Sequence, residues 1–175
     1  MEYKILTPDR EDAEEMFVFL HQVGSETDFL LFGEEGIPMS LEAERDFLEN
    51  INKSEYSRMF IIKDDEKIIA NGFIRANPRL RIKHKAEIAI SVLKPYWGKG
   101  VGSLLLKALI DYAKSTGIIE TIYLDVVSEN TRAIKLYEKF GFKSFGINKH
   151  AAKVNQKYYD WLMMRLDLNQ KNEEV

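Results

Sequence analysis

The chain contains no cysteine. That removes disulfides, thiolate-bound metals and a cysteine nucleophile from consideration. It also suits a reducing compartment, and a cytoplasmic location is expected. Long apolar runs are missing as well. No stretch approaches about 18 consecutive apolar residues, so no membrane-spanning helix and no membrane partner are expected. The opening Met1-Glu2-Tyr3-Lys4 has no apolar signal core behind it. Neither sign of charge dominates: 25 Lys and Arg stand against 28 Asp and Glu, a net charge of −3 without a long basic run. Nucleic-acid binders usually carry a basic face, so nucleic acid is not an expected partner. The three histidines, His21, His84 and His150, are scattered without ligand spacing, so no metal site is expected. What remains is 175 residues, 45% of them hydrophobic, which is enough for one domain with a real core.

The pattern predicts a single domain over residues 1–168 and a polar tail over 169–175. Lys4-Ile5-Leu6 reads as a short strand. Thr7-Pro8 offers an N-cap followed by proline at the first helical position. Ala13, Met16, Phe17 and Leu20 fall at helical spacing, which predicts a helix over 9–23. Ser40 caps a second helix reaching about Ile51. Two apolar runs, 59–62 and 68–74, flank Asp64-Asp65-Glu66-Lys67 and read as a hairpin with a four-residue loop, Gly72 marking a bulge. Further strands are predicted over 86–93, 121–127, 142–145 and 158–168. Helices over about 100–116 and 130–140 lie between them, stopped by Gly117 and Gly141. A mixed sheet with helices on both faces is the economical fold.

The densest glycine cluster is Tyr96-Trp97-Gly98-Lys99-Gly100-Val101-Gly102-Ser103. Three glycines in five residues let the backbone approach a ligand closely. A helix starting there presents unpaired N–H groups and the positive end of its dipole, which together suit phosphate. A Walker A loop fails, because Lys99 lies between glycines and Ser103 follows Gly102. A dinucleotide fingerprint fits Gly98 and Gly100 but finds Ser103 where its third glycine belongs. A glycine turn without a ligand is the bland alternative.

About thirty residues on stands Asn130-Thr131-Arg132-Ala133-Ile134-Lys135-Leu136-Tyr137-Glu138-Lys139-Phe140-Gly141-Phe142. Together the two segments resemble the GNAT superfamily of acetyl-CoA-dependent N-acetyltransferases. The first is similar to its pyrophosphate loop, Q/R-x-x-G-x-G/A, and the second to its N-x-x-A-x-x-L-Y-x-x-x-G-F segment. Trp97 stands where Gln or Arg is usual; the resemblance implies that this position chiefly offers its main chain, so little effect on binding is expected beyond one side-chain contact to phosphate. The resemblance covers residues 87–145. It implies a mixed α+β fold with a central, mostly antiparallel sheet of six or seven strands, helices on both faces and a splayed strand pair that binds acetyl-CoA.

The same resemblance implies the roles of individual residues. The amides of Trp97, Gly98, Lys99, Gly100, Val101, Gly102 and Ser103 would cradle the pyrophosphate. Lys99 adds a point charge there or is simply a solvated loop lysine. Ile90, Ser91 and Val92, freed at a bulge, would pair with pantetheine, and an N–H near Val92 would hold the oxyanion. Asn130 would bond the pantetheine arm, or act as a plain N-cap. Tyr137 would protonate the departing thiolate. A thiol of pKa about 8.5 and a phenol near 10 are close enough for transfer in a shielded site. Core packing beside Ala133 and Ile134 is the other role open to Tyr137. The acceptor must be a neutral amine, and Glu87 is the base candidate, with His84 a lesser one. Glu87 shares a strand face with Ala89 and Ser91, so an ordinary exposed acid is equally open. Asp28, Phe29, Phe32 and Asp125 are the candidate acceptor wall, suited to a cationic amine with an apolar body. The implied activity is direct acetyl transfer to a primary amine of a small molecule or peptide, through a tetrahedral intermediate and no acyl-enzyme. A non-catalytic acyl-CoA-binding module and, more distantly, a dinucleotide oxidoreductase are the alternatives. Family edge strands often support a homodimer, and nothing in the sequence fixes this.

Overall fold

In a computed structural model, which describes residues 3–168, the strand segments assemble into one seven-stranded sheet. The strands are β1 (Ile5–Leu6), β2 (Ser57–Asp64), β3 (Lys67–Ala76), β4 (Lys85–Val92), β5 (Thr121–Val127), β6 (Lys143–Val154) and β7 (Lys157–Asp167). The helices are α1 (Ala13–Ser25), α2 (Leu41–Ile51), α3 (Val101–Ser115) and α4 (Thr131–Lys139). The sheet order is β1-β2-β3-β4-β5-β7-β6, and β4–β5 is its parallel pair among antiparallel neighbours. This is the mixed architecture expected from the sequence. The tail, residues 169–175, lies outside the described residues. Among those described, no helix is long and apolar enough to cross a membrane.

Alternation along β3 explains why both faces are covered. Asn71 turns its amide to the Met16 sulfur of α1, while the next residue, Gly72, faces Leu105 of α3. Met16, Phe19 and Leu20 of α1 are buried on one side, and Leu106 and Leu109 of α3 on the other. Each such side chain contributes about 1.5–3 kcal/mol by leaving water. A Cβ on Gly72 would lie 3.0 Å from Leu105 and Ile90 carbons, so this glycine admits α3 rather than marking a bulge. The register shift of the hairpin lies instead at Ile62/Lys63.

Three other local expectations are corrected. The first helix is not capped by Thr7. Asp9 accepts from Glu11 N–H at 2.8 Å, and Asp9 N–H donates to Asp12 at 2.9 Å, a reciprocal cap around a short turn over Arg10–Asp12. Pro8 lies before that cap and is buried. The β2–β3 loop is two residues, because Asp65 adopts φ 52° and Asp64 already pairs with Lys67. Finally, β6 runs to Val154, well past the predicted end at residue 145. It turns into β7 through Asn155 and Gln156, at φ 47° and 69°. Its residues are mostly exposed, so apolar alternation could not reveal it.

Candidate active site

The parallel pairing of β4 with β5 is short. It covers Lys85↔Thr121, Ala86↔Ile122 and Glu87↔Tyr123 and then stops. On its other side β4 stays paired with β3 without a break from Ala86 to Val92. The strands therefore part without the register shift in β4 that the resemblance implied. Past Glu87 the backbone of β4 has no strand partner on the β5 side, and at its end the Val92 carbonyl accepts from the Trp97 indole N–H.

That gap opens into a cavity of about 820 Å³. Ile90, Ser91 and Val92 line it from β4, Trp97, Gly98, Gly100, Gly102 and Ser103 from the loop and α3, and Asn130 and Tyr137 from α4. Two predicted loop residues do not line it. Val101 is buried in the core, and the Lys99 ammonium sits 5.3 Å above the Tyr96 ring. Gly98 and Gly100 have φ 74° and 83°, in the left-handed region that glycine occupies cheaply. A Cβ on either would meet no atom within 4 Å, and no side chain caps α3. Free amides at a helix N-terminus beside an open cradle fit a diphosphate. Replacing Gly100 by Ala is expected to cost about 1–2 kcal/mol through the left-handed backbone. It also places a methyl at the cradle rim. Thermal unfolding and acetyl-CoA affinity should both fall; an unchanged affinity would count against the cradle.

Asn130 caps α4, its side-chain oxygen accepting from Ala133 N–H at 3.2 Å. Its NH₂ group remains available to the cavity. Tyr137 is only 6% exposed, and burial holds its phenol well above the usual tyrosine pKa. Among the described residues its hydroxyl has no hydrogen-bond partner, yet no polar side-chain atom is both sealed from solvent and unpaired. The hydroxyl therefore opens onto the cavity.

Asp125 of β5 lines the same cavity. Its carboxyl is pushed up, first by partial desolvation and then by the nearby charge of Glu87. Glu87 lies outside the lining, and both carboxylates are exposed. Phe29 and Phe32 line the cavity, whereas Asp28 does not. Asp28 instead receives a long 3.5 Å contact from the Tyr159 hydroxyl, and Phe29 meets the Tyr159 ring edge-on at 6.5 Å. The loop between α1 and α2 is thereby fastened to β7. Glu26, at its start, accepts from the backbone N–H of Lys94 at 2.6 Å.

Leu30 and Leu31 line the cavity beside Phe29 and Phe32, from the loop that the sequence places at the acceptor side. Leu20, Val23, Ile37, Pro38 and Phe73 also line it, although the sequence does not single them out for that wall, and so does Asn71, a polar residue in an apolar strand that was the available signal. The sequence reading also missed Arg132, whose guanidinium carbon lies 3.2 Å from the centre of the Trp97 ring. Trp97 in turn donates its indole N–H to the Val92 carbonyl at 2.7 Å.

Parallel strands that part around a cavity, with a glycine cradle and a helix N-terminus at one end, make a site that fits an elongated diphosphate-bearing ligand. The profile of the acetyltransferase (GNAT) family matches residues 25–142, and the chain belongs to that family. The chain is 31% identical over 96 residues to an L-amino acid N-acetyltransferase of Escherichia coli, covering 55% of this chain and 59% of that protein. The match to a spermidine N(1)-acetyltransferase of Vibrio cholerae is 30% over 103 residues and also spans 59% of the relative. A solved GNAT acetyltransferase of Streptococcus pneumoniae superimposes with TM-score 0.91 at 32% identity, covering 95% of this chain and all of that one. An acetyltransferase of Salmonella typhimurium, solved with acetyl-CoA, shares the fold at TM-score 0.83 and 15% identity.

Proposed function

We propose that the protein moves the acetyl group of acetyl-CoA directly to a primary amine, with Tyr137 as the acid and Asp125, backed by Glu87, as the base. The observation that carries this reading is the convergence of the glycine cradle, the freed β4 backbone, the Tyr137 hydroxyl and the Asp125 carboxylate on one cavity. Acetyl-CoA supplies a thioester carbonyl that a neutral amine attacks. The chain's own residues do the rest. The amides of Gly98, Gly100, Gly102 and Ser103 hold the pyrophosphate. The backbone of Ile90, Ser91 and Val92 and the Asn130 amide align the pantetheine, and a β4 N–H near Val92 takes the charge that develops on the carbonyl oxygen. An ammonium has no lone pair, so it loses a proton to Asp125, directly or through water. As the C–S bond breaks, Tyr137 gives its proton to the departing sulfur, and the proton that the newly acylated nitrogen sheds restores the phenol, directly or through water.

The acceptor wall is apolar apart from few polar groups, Asp125 and Asn71 among them. That favours one ammonium on an apolar body over a long polycation, although relatives named for spermidine and for L-amino acids frame both choices. Free-thiol release should be measured across polyamines, apolar L-amino acids and short peptides. The highest kcat/KM is expected for an apolar amine; a clear preference for spermidine would overturn the acceptor assignment. Thermal unfolding separates an enzyme from a misassigned cofactor. Acetyl-CoA at about 100 times its Kd stabilises by about 2.7 kcal/mol, a rise of several degrees, and NAD and ATP should give none. Binding without any thiol release would favour the acyl-CoA-binding module.

A further inference from the structure

We propose that Arg132, seated on the Trp97 ring at the rim of the glycine loop, is the cation that engages a phosphate of coenzyme A. This rests on the acetyl-CoA site described above and adds a residue that the family motif does not supply. The motif position that carries Gln or Arg is Trp97 here, so the loop lacks that side-chain donor. Arg132 reaches the same rim from the first turn of α4. Its guanidinium carbon lies 3.2 Å from the Trp97 ring centre, and Arg132 lines the cavity together with Gly98, Gly100 and Ser103.

Stacking fixes the guanidinium by its face and leaves its in-plane N–H fork free for phosphate oxygens. The platform is itself held, because the Trp97 indole N–H is bound to Val92 O at 2.7 Å. Among the described residues, no carboxylate pairs with Arg132, unlike Arg10 and Arg45, which are tied to glutamates. An arginine stacked at a ligand cavity with no acidic partner carries charge that an anion can meet. Its desolvation, which draws its pKa down, is offset when one does. Of the other cations nearby, Lys99 lies over Tyr96 outside the lining, and Lys139 lines the cavity from the last turn of α4, two turns away from the glycine-loop rim where Arg132 sits. The arrangement also joins the phosphate end of the ligand to α4, the helix that carries Asn130 and Tyr137.

The test is calorimetric titration of wild type, Arg132→Gln and Trp97→Ala with coenzyme A, 3′-dephospho-coenzyme A and phosphate-free pantetheine. Arg132→Gln should weaken coenzyme A by about ten- to a hundredfold and leave pantetheine unchanged. Its salt dependence should be shallower than that of wild type. Trp97→Ala should reproduce the selective loss, because the fork is no longer held. A loss that persists with dephospho-coenzyme A assigns the pyrophosphate, and a loss that vanishes assigns the 3′-phosphate; either supports the proposal. Equal coenzyme A affinities for wild type and Arg132→Gln overturn it while the cofactor site stands. An equal loss for pantetheine also overturns it, since Arg132 would then only brace α4. A wild type that binds coenzyme A no better than pantetheine removes both this proposal and the cradle it rests on.

Discussion

Tyr137→Phe is expected to lower kcat by about 10²–10⁴-fold, the usual scale for removing a general acid, with the affinity for acetyl-CoA unchanged. The substitution deletes one oxygen and keeps the ring, which packs 5.7 Å from Phe142. None of the described residues loses a hydrogen bond, because the hydroxyl has no partner among them. Thermal stability should therefore hold or rise slightly. A purely structural role would give the opposite pattern, with altered unfolding and intact turnover. The raised pKa of the phenol is not an obstacle to this role. Desolvation disfavours every anion in the cavity, the leaving thiolate included, so the pair is lifted together. It also keeps the phenol fully protonated across the physiological range, which is the state an acid needs. The readout is steady-state thiol release beside a direct binding titration. Unchanged kcat would sink the assignment.

Local signals in the sequence were most legible where one residue type meets one backbone demand. Gly117 and Gly141 end α3 and α4 at φ 63° and 91°, and Ser40 and Asn130 cap their helices through side-chain oxygens. β5 has its predicted bounds, with burial alternating from Thr121 to Val126 and Ser128-Glu129-Asn130 ending it. The cofactor side was legible for the same reason, since the glycines, the cap and Tyr137 lie within two contiguous motifs. The acceptor side was not. The proposed wall gathers Leu20, Leu30, Ile37, Phe73 and Asp125 from three elements and one loop, and no linear spacing joins them. β6 escaped because an edge strand held by its pairing with β7 needs no apolar face. The contact of Arg132 with Trp97 depends on α4 returning across the loop, a relation of the fold and not of either motif.

Asp125→Asn is expected to lower kcat/KM at neutral pH by about 100-fold, the lower end of the range for losing a general base. The sign of its effect on stability runs the other way. Asp125 has a folded-state pKa above its ordinary value, from desolvation first and the charge of Glu87 second. Its contribution to stability is thus present below the unfolded pKa, near 3.9, and is lost as pH rises through the folded value. At pH 7 the ionised carboxylate works against folding, and the amide removes that cost. Asp125→Asn should then unfold at an equal or higher temperature than wild type at pH 7, with the difference shrinking towards pH 4. In the wild type, kcat/KM should fall on the acid side with an apparent pKa above the ordinary aspartate range. Glu87→Gln removes the second cause of the shift, so its acid limb should move to lower pH with much of the activity retained. That displacement separates a carboxylate acting through Asp125 from one that takes the proton itself. If Glu87→Gln instead abolishes turnover and Asp125→Asn does not, the base is Glu87 and the order of the two acids is reversed. An acid limb unmoved by either substitution would remove both carboxylates from the proton path.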